Sequence, residues 1–253
     1  MSPLAHSAVE PVYIYASQTG KPTLDQDGGG GNPFASALED LLIRDSLTFD
    51  VFQKELVELT KRRSGGFQIP EVIAHSDIGV WRLLPKTNRE RRVALVVVFS
   101  DYSASDNAQC LPGAKHDMQR ITVALDRAGF EAQTVLDPDL IKLEIVLREF
   151  AVRSIDSEVA LLYTTGHGVE VEGHVYLLPG DYPFSQGSAA LQEYAVRLTT
   201  IGSALRASLI NLVLYGGCRD NYFAIQSIPV TEAVEGSAKR TYKTTDYTDF
   251  TDR

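Results

Sequence analysis

Only two cysteines, Cys110 and Cys218, stand in 253 residues, which excludes a disulfide framework and leaves each thiol free for chemistry in a reducing compartment. No run of about 20 apolar residues is present to span a bilayer, and Met1 to Glu10 lacks the charged and apolar regions of a signal peptide. Basic clusters are scarce as well. Lys61-Arg62-Arg63 reads as a helix C-terminus and Arg89 to Arg92 as a linker, and the net charge is −9. A phosphate backbone or an anionic membrane surface needs grouped Lys and Arg, so neither is expected as a partner. The glycine run Gly28-Gly29-Gly30-Gly31 lacks the Lys-Ser/Thr of a phosphate-binding loop. The expectation is a cytoplasmic protein without nucleic-acid or membrane partners.

With 44% hydrophobic residues the chain can bury one sizeable core, and a single domain over 1–253 is expected. Arg92 to Phe99, Glu158 to Tyr163 and Leu209 to Leu214 are apolar runs with the pattern of strands covered on both faces. Between them, residues 114 to 128 suit a helix stopped by Gly129, and Glu131 to Leu136 a short strand. A second helix has Asp137 as N-cap, Pro138 at its first position, and Leu140, Leu143, Leu147 and Phe150 on one face. Val169 to Leu178 around Glu172-Gly173 reads as a hairpin, and Thr199 to Ala207 as a helix. Such alternation specifies an α/β fold with a parallel sheet and right-handed crossovers.

The first third adds a strand at Val12 to Ala16, helices at Pro33 to Arg44 and Thr48 to Arg62, and a closing strand at Val80 to Leu84. The tail 224–253, rich in Thr, Asp and Lys, reads as mobile.

Two short segments carry the chemistry. Tyr163-Thr164-Thr165-Gly166-His167-Gly168 and Tyr215-Gly216-Gly217-Cys218-Arg219-Asp220-Asn221 each follow a buried strand. An imidazole and a thiol on neighbouring strand ends of one parallel sheet are the layout of a cysteine hydrolase, with Cys218 as nucleophile and His167 as general base and acid. His6, His75, His116 and His174 read as surface or structural residues, and Cys110 as passive. Asp25, Asp27 and the following glycines superficially suggest a calcium loop. Gly29 and Ser36, however, fall where such a loop needs ligands, so no metal or other cofactor is expected.

Residues 92 to 223 resemble the large-subunit region of the caspase-like peptidases, above all the bacterial and metacaspase branch. The match comprises the apolar first strand, Leu111-Pro-Gly-Ala-Lys-His-Asp117, the Gly-His-Gly turn and Cys-Arg-Asp-Asn. Residues 12 to 84 resemble the small-subunit part that normally follows the cysteine: Tyr15-Ala-Ser-Gln-Thr-Gly20, Asp27 with its glycines, Asn32-Pro-Phe34, and Gly65-Gly66-Phe-Gln-Ile-Pro70 before a final strand. Here they come first, so the chain reads as circularly permuted: 11–84 small-subunit-like, 85–91 a linker, 92–223 large-subunit-like.

The resemblance implies a three-layer sandwich around a mainly parallel six-stranded sheet. Its first and last strands would lie roughly 19 Å apart, and residues 85–91 fully extended reach roughly 23 to 25 Å. It implies a cysteine endopeptidase acting on protein or peptide substrates, with the backbone N–H groups of Gly168 and Cys218 as oxyanion donors. Related enzymes are often cut after the cysteine strand; the permuted order leaves free ends there, so no activating cut is expected.

Asp117 and Thr165 match substrate-pocket positions of the metacaspase-like branch. Gly216 departs from it: an Asp there completes an acidic pocket for Arg or Lys, and glycine leaves a roomier one. If a basic preference survives, Lys239-Arg240 and Lys243 make the tail a candidate for self-cleavage or for lying over the cleft. Gly216 also keeps open a catalytically weak interaction module, and the pair of residues alone leaves open a hydrolase or acyltransferase acting on non-peptide acyl groups. Oligomeric state is not legible.

Overall fold

Strand formation here follows from complete burial. Arg92–Val98 (β5) and Val159–Thr165 (β7) are buried along all seven residues each, and Ile210–Tyr215 (β11) along all six. Strands covered on both faces lose the usual alternation and become continuous Val/Leu/Ala runs. The computed structural model describes residues 9–74, 82–84, 90–105, 108–220 and 223. The elements below belong to the compact unit that ends at Tyr222.

In chain order, Val12–Tyr15 (β1) leads through a long loop to Pro33–Leu42 (α1), Leu47–Thr48 (β2), Phe49–Arg63 (α2), Glu71–Ile73 (β3) and Arg82–Leu84 (β4). After β5 come Pro112–Arg127 (α3), Glu131–Leu136 (β6), Leu140–Ile155 (α4) and β7. The hairpin Gly168–Val171 (β8) and His174–Leu177 (β9) follows, then Leu191–Tyr194 (α5), Val196–Arg197 (β10), Leu198–Gly202 (α6) and β11. Six strands form one sheet in the order β3-β1-β11-β7-β5-β6, parallel except for β3. Alternate strand residues split between its faces. Ala94, Val96, Val98, Leu161, Tyr163, Leu212 and Leu214 pack with α1, α2 and α3 in one apolar cluster. The opposite face is covered by α4, which buries Leu143, Val146, Leu147 and Phe150.

Several expectations are corrected. The closing edge strand is β3, antiparallel to β1, not Val80 to Leu84; within that range β4 pairs instead with β2 in a separate two-stranded sheet. The passage from the edge strand to β5 therefore has 18 residues, 74 to 91, rather than seven, and the tight span disappears. Buried Arg92 anchors β4 there, donating to the Leu83 carbonyl at 2.5 Å and to Glu90 at 2.6 Å. Asp137 does not cap α4. It turns through φ 46° and accepts from Ser100 and Asp101, while Asp139 takes the Lys142 N–H at 2.7 Å. The helix expected over 199 to 207 ends at Gly202. Most of the linker 85–91 and all of the tail 224–253 lie outside the described residues.

Candidate active site

The histidine turn is built on the end of β7. Gly166 adopts φ 154°, and a Cβ there would stand 2.9 Å from both Phe99 Cβ and the Tyr102 hydroxyl, so the chain turns only because this residue has no side chain. The His167 N–H donates to the Tyr102 hydroxyl at 2.8 Å, which in turn donates to the Leu178 carbonyl at 2.8 Å. The imidazole packs edge-on against Tyr102 and Phe184, with centroids 4.4 and 5.8 Å away. Its Nε2 lies 2.8 Å from the Gln109 carbonyl oxygen. A carbonyl only accepts, so Nε2 carries the hydrogen and Nδ1 is the basic nitrogen of the neutral ring. Burial pushes the pKa of His167 down, with Gln109 and the charge of Asp25 acting the other way.

The cysteine turn sits on the next strand. β11 runs parallel to β7 with Tyr215 opposite Thr164, so both turns leave the same end of the sheet. The Tyr215 hydroxyl donates to the Cys218 carbonyl at 3.1 Å. An added Cβ on Gly168 would collide with that hydroxyl and stand 3.1 Å from the same carbonyl. Glycine at 168 is thus what lets the two turns approach. The thiol and imidazole bond to other partners: Cys218 Sγ receives the Thr23 N–H at 3.2 Å and lies 3.3 Å from its hydroxyl. Burial pushes the thiol up to about 11; Asp220 and Asp25 add to this, and the Thr23 bonds oppose it.

Thr23 belongs to the loop after β1, which crosses the end of the sheet. Leu24 is held on both sides, its N–H donating to Gln68 at 3.2 Å and its carbonyl accepting from Asn32 at 2.7 Å. The same Asn32 amide reaches the Gly216 carbonyl at 3.3 Å. Asp25 accepts the N–H groups of Gly113 and Ala114 at 3.0 and 3.2 Å, capping α3, which has no side-chain cap of its own. Its charge is felt by both His167 and Cys218.

The expected pocket residues sit differently from one another. Asp117 is fully buried, ion-paired with Arg120 at 2.8 Å and accepting the Asn32 N–H at 3.0 Å; burial outweighs these partners and pushes its carboxyl up to about 7. Gly216 leaves no roomier space: a Cβ there would meet Thr165 Oγ1 at 2.9 Å and the Tyr163 hydroxyl at 3.2 Å. Among the described residues no group of three or more His, Cys, Asp or Glu is placed to hold a metal, and Asp27 spends Oδ1 on the Gly29 N–H at 2.7 Å.

Arg219, beside the thiol, is 3% exposed. Its guanidinium donates to Glu170 at 2.9 Å, Thr19 at 2.6 Å, the Ser17 carbonyl at 3.2 Å and Glu71, and lies 4.0 Å from the centre of the Tyr15 ring. Its backbone bonds Gly20 and Lys21 at 3.1 Å each. Gln109, Thr23, Asp25 and the role of Arg219 were all missed by sequence reasoning. Each acts through the backbone or across a long sequence separation. The Cys-Arg dipeptide and the polar loop before Pro112 were the only local signals.

A six-stranded, mostly parallel sheet with a His turn and a Cys turn at one end is an α/β architecture with the layout of a cysteine peptidase. The caspase domain of peptidase family C14 matches residues 91–251, and the chain belongs to that family. No curated protein matches it.

Proposed function

We propose that the protein is a cysteine endopeptidase in which Cys218 attacks the peptide carbonyl and His167 shuttles the proton. The observation that carries this reading is the side-by-side exit of the two turns from β7 and β11, with Gly168 against the Cys218 carbonyl. The thiol proton passes to His167 Nδ1, and the sulfur adds to the carbonyl carbon. Its oxygen becomes an oxyanion facing the backbone N–H groups of Gly168 and Cys218. The amine then leaves with the proton from Nδ1, and water hydrolyses the thioester with His167 again as base. The Gln109 carbonyl holds the ring in the tautomer these steps require.

The family's two subunit-like parts occur in exchanged order. β1 and β3, from the front of the chain, complete the sheet beside the cysteine strand, which supports a circular permutation.

Asp25 and Asp220 make the surroundings of the thiol negative, which favours a cationic side chain before the scissile bond. The charge of Asp117 is offset by its ion pair with Arg120, whereas Asp25 is bonded to the neutral N–H groups of Gly113 and Ala114.

A fluorogenic peptide panel varied at the residue before the scissile bond tests the reading. Cleavage after Arg or Lys, lost in Cys218→Ala and weakened in Asp25→Asn, is expected. Turnover undiminished in Cys218→Ala refutes it. Absence of turnover with every peptide, together with no labelling of Cys218 by thiol-reactive peptides, favours the interaction module, a reading that the raised pKa of the part-buried thiol also supports.

A further inference from the structure

We infer that Thr23 is a catalytic residue, placed by the loop after β1 to hold the sulfur of Cys218 in its ionised form. The inference rests on the assignment of Cys218 as nucleophile and extends it to a residue 195 positions away. Three atoms of Thr23 address the sulfur: the backbone N–H at 3.2 Å, the hydroxyl at 3.3 Å and the carbonyl oxygen at 3.9 Å. They divide by protonation state. The thiol has one hydrogen to give, and the carbonyl receives it. A thiolate has none, so the N–H and the hydroxyl both point their hydrogens at sulfur. On ionisation the proton goes from Sγ to His167 Nδ1, the hydroxyl rotates to donate, and Thr23 keeps both of its own hydrogens.

The loop is braced rather than free, which separates a fixed donor from a lid. The Arg219 N–H bonds the Lys21 carbonyl at 3.1 Å on one side of Thr23. On the other side, Leu24 is pinned by Gln68 and Asn32, and Asp25 by the first turn of α3. Donors fixed in a partly buried site cost no reorganisation when charge develops, the condition under which hydrogen bonds to an anion count most. The thiol needs such help because burial and two nearby carboxylates oppose its ionisation.

The test is alkylation of the intact protein by iodoacetamide at several pH values, read at Cys218 by peptide mapping, with exposed Cys110 as internal reference. Thr23→Val removes the hydroxyl, keeps the shape and retains the backbone donor. Losing one hydrogen bond to the anion lowers the thiolate fraction about tenfold at a given pH. Each remaining thiolate is about threefold more nucleophilic, so Cys218 alkylation is expected to slow about threefold, with Cys110 unchanged. Thr23→Ser, which restores the hydroxyl, is expected to return the wild-type rate, and Thr23→Ala to behave like Thr23→Val. Equal or faster labelling of Cys218 in Thr23→Val and Thr23→Ala overturns the inference, faster labelling marking Thr23 as an obstruction. Peptide hydrolysis persisting in Cys218→Ala would instead remove the nucleophile itself, a result independent of the alkylation series.

Discussion

Removing the guanidinium at position 219 should damage stability and activity together. Arg219→Met keeps much of the side-chain volume but leaves Glu170 and Glu71 facing each other without a cation. Their side chains are 11% and 39% exposed, so one carboxylate stays in a poorly solvated site and the other is partly relieved by water. Stripping one partner from a buried ion pair costs about 3 to 5 kcal/mol, and the half-exposed Glu71 places this case near 3 kcal/mol. For a domain of this size that corresponds to a fall in Tm of roughly 6 to 12 °C. The Ser17 carbonyl and Thr19 hydroxyl lose their donor as well, so the loop carrying Thr23 loosens against the cysteine turn. A displacement of about 1 Å there is enough to lower kcat/KM by up to about a hundredfold. Urea unfolding and peptide kinetics on the same preparations measure both effects. Arg219→Lys keeps the charge but loses the planar fork, and should fall between the two. An unfolding free energy for Arg219→Met within about 0.5 kcal/mol of wild type would refute the reasoning, since that is the range of an ordinary surface substitution.

Gly168→Ala drives a methyl group into the Tyr215 hydroxyl and toward the Tyr176 and Cys218 carbonyls. It should cost about 1 to 3 kcal/mol in a chemical melt and abolish peptide cleavage, and unchanged labelling of Cys218 by a peptide probe would count against the packing of the two turns. Because burial holds the pKa of His167 down, the imidazole stays neutral to more acidic pH, and the acid limb of kcat/KM should fall below the usual value of about 6.5. An acid limb above that value would contradict the lowered pKa.

Elements decided by local burial were legible. β5, β7 and β11 are continuous apolar runs, and the motif ends of β7 and β11 place His167 and Cys218 without further information. The expected sandwich and sheet follow, because alternating buried strands and amphipathic helices admit few packings. Short or edge elements were not. β3 has three residues of mixed exposure, whereas Val80 to Leu84 carries the stronger apolar signal, so the wrong segment was read as the edge. Asp137 and Asp139 both suit a helix start, and the choice was made by Ser100 and Asp101, which take up Asp137. In the site, the Gln109 carbonyl lies 58 residues from His167 and acts through backbone that carries no side-chain signal. Thr23 and the partners of Arg219 are visible only once the fold has brought distant segments together.

The parallel pairing of Val12–Tyr15 with residues 212 to 215 ties completion of the sheet to the direction of protein synthesis. At about 5 to 20 residues per second, β1 and the loop holding Thr23 wait roughly 10 to 40 s on the ribosome before β11, the neighbour of β1 toward the sheet centre, is made. During that interval β1 has β3 as its one available sheet neighbour, and closing so long a loop onto β11 adds an entropic barrier of its own. A nascent chain therefore carries the histidine turn, the loop and the α3 cap before it carries the cysteine turn. Cys218 is the last of these parts to emerge, so the proposed active site can assemble only after the strands and helices that hold it have been translated.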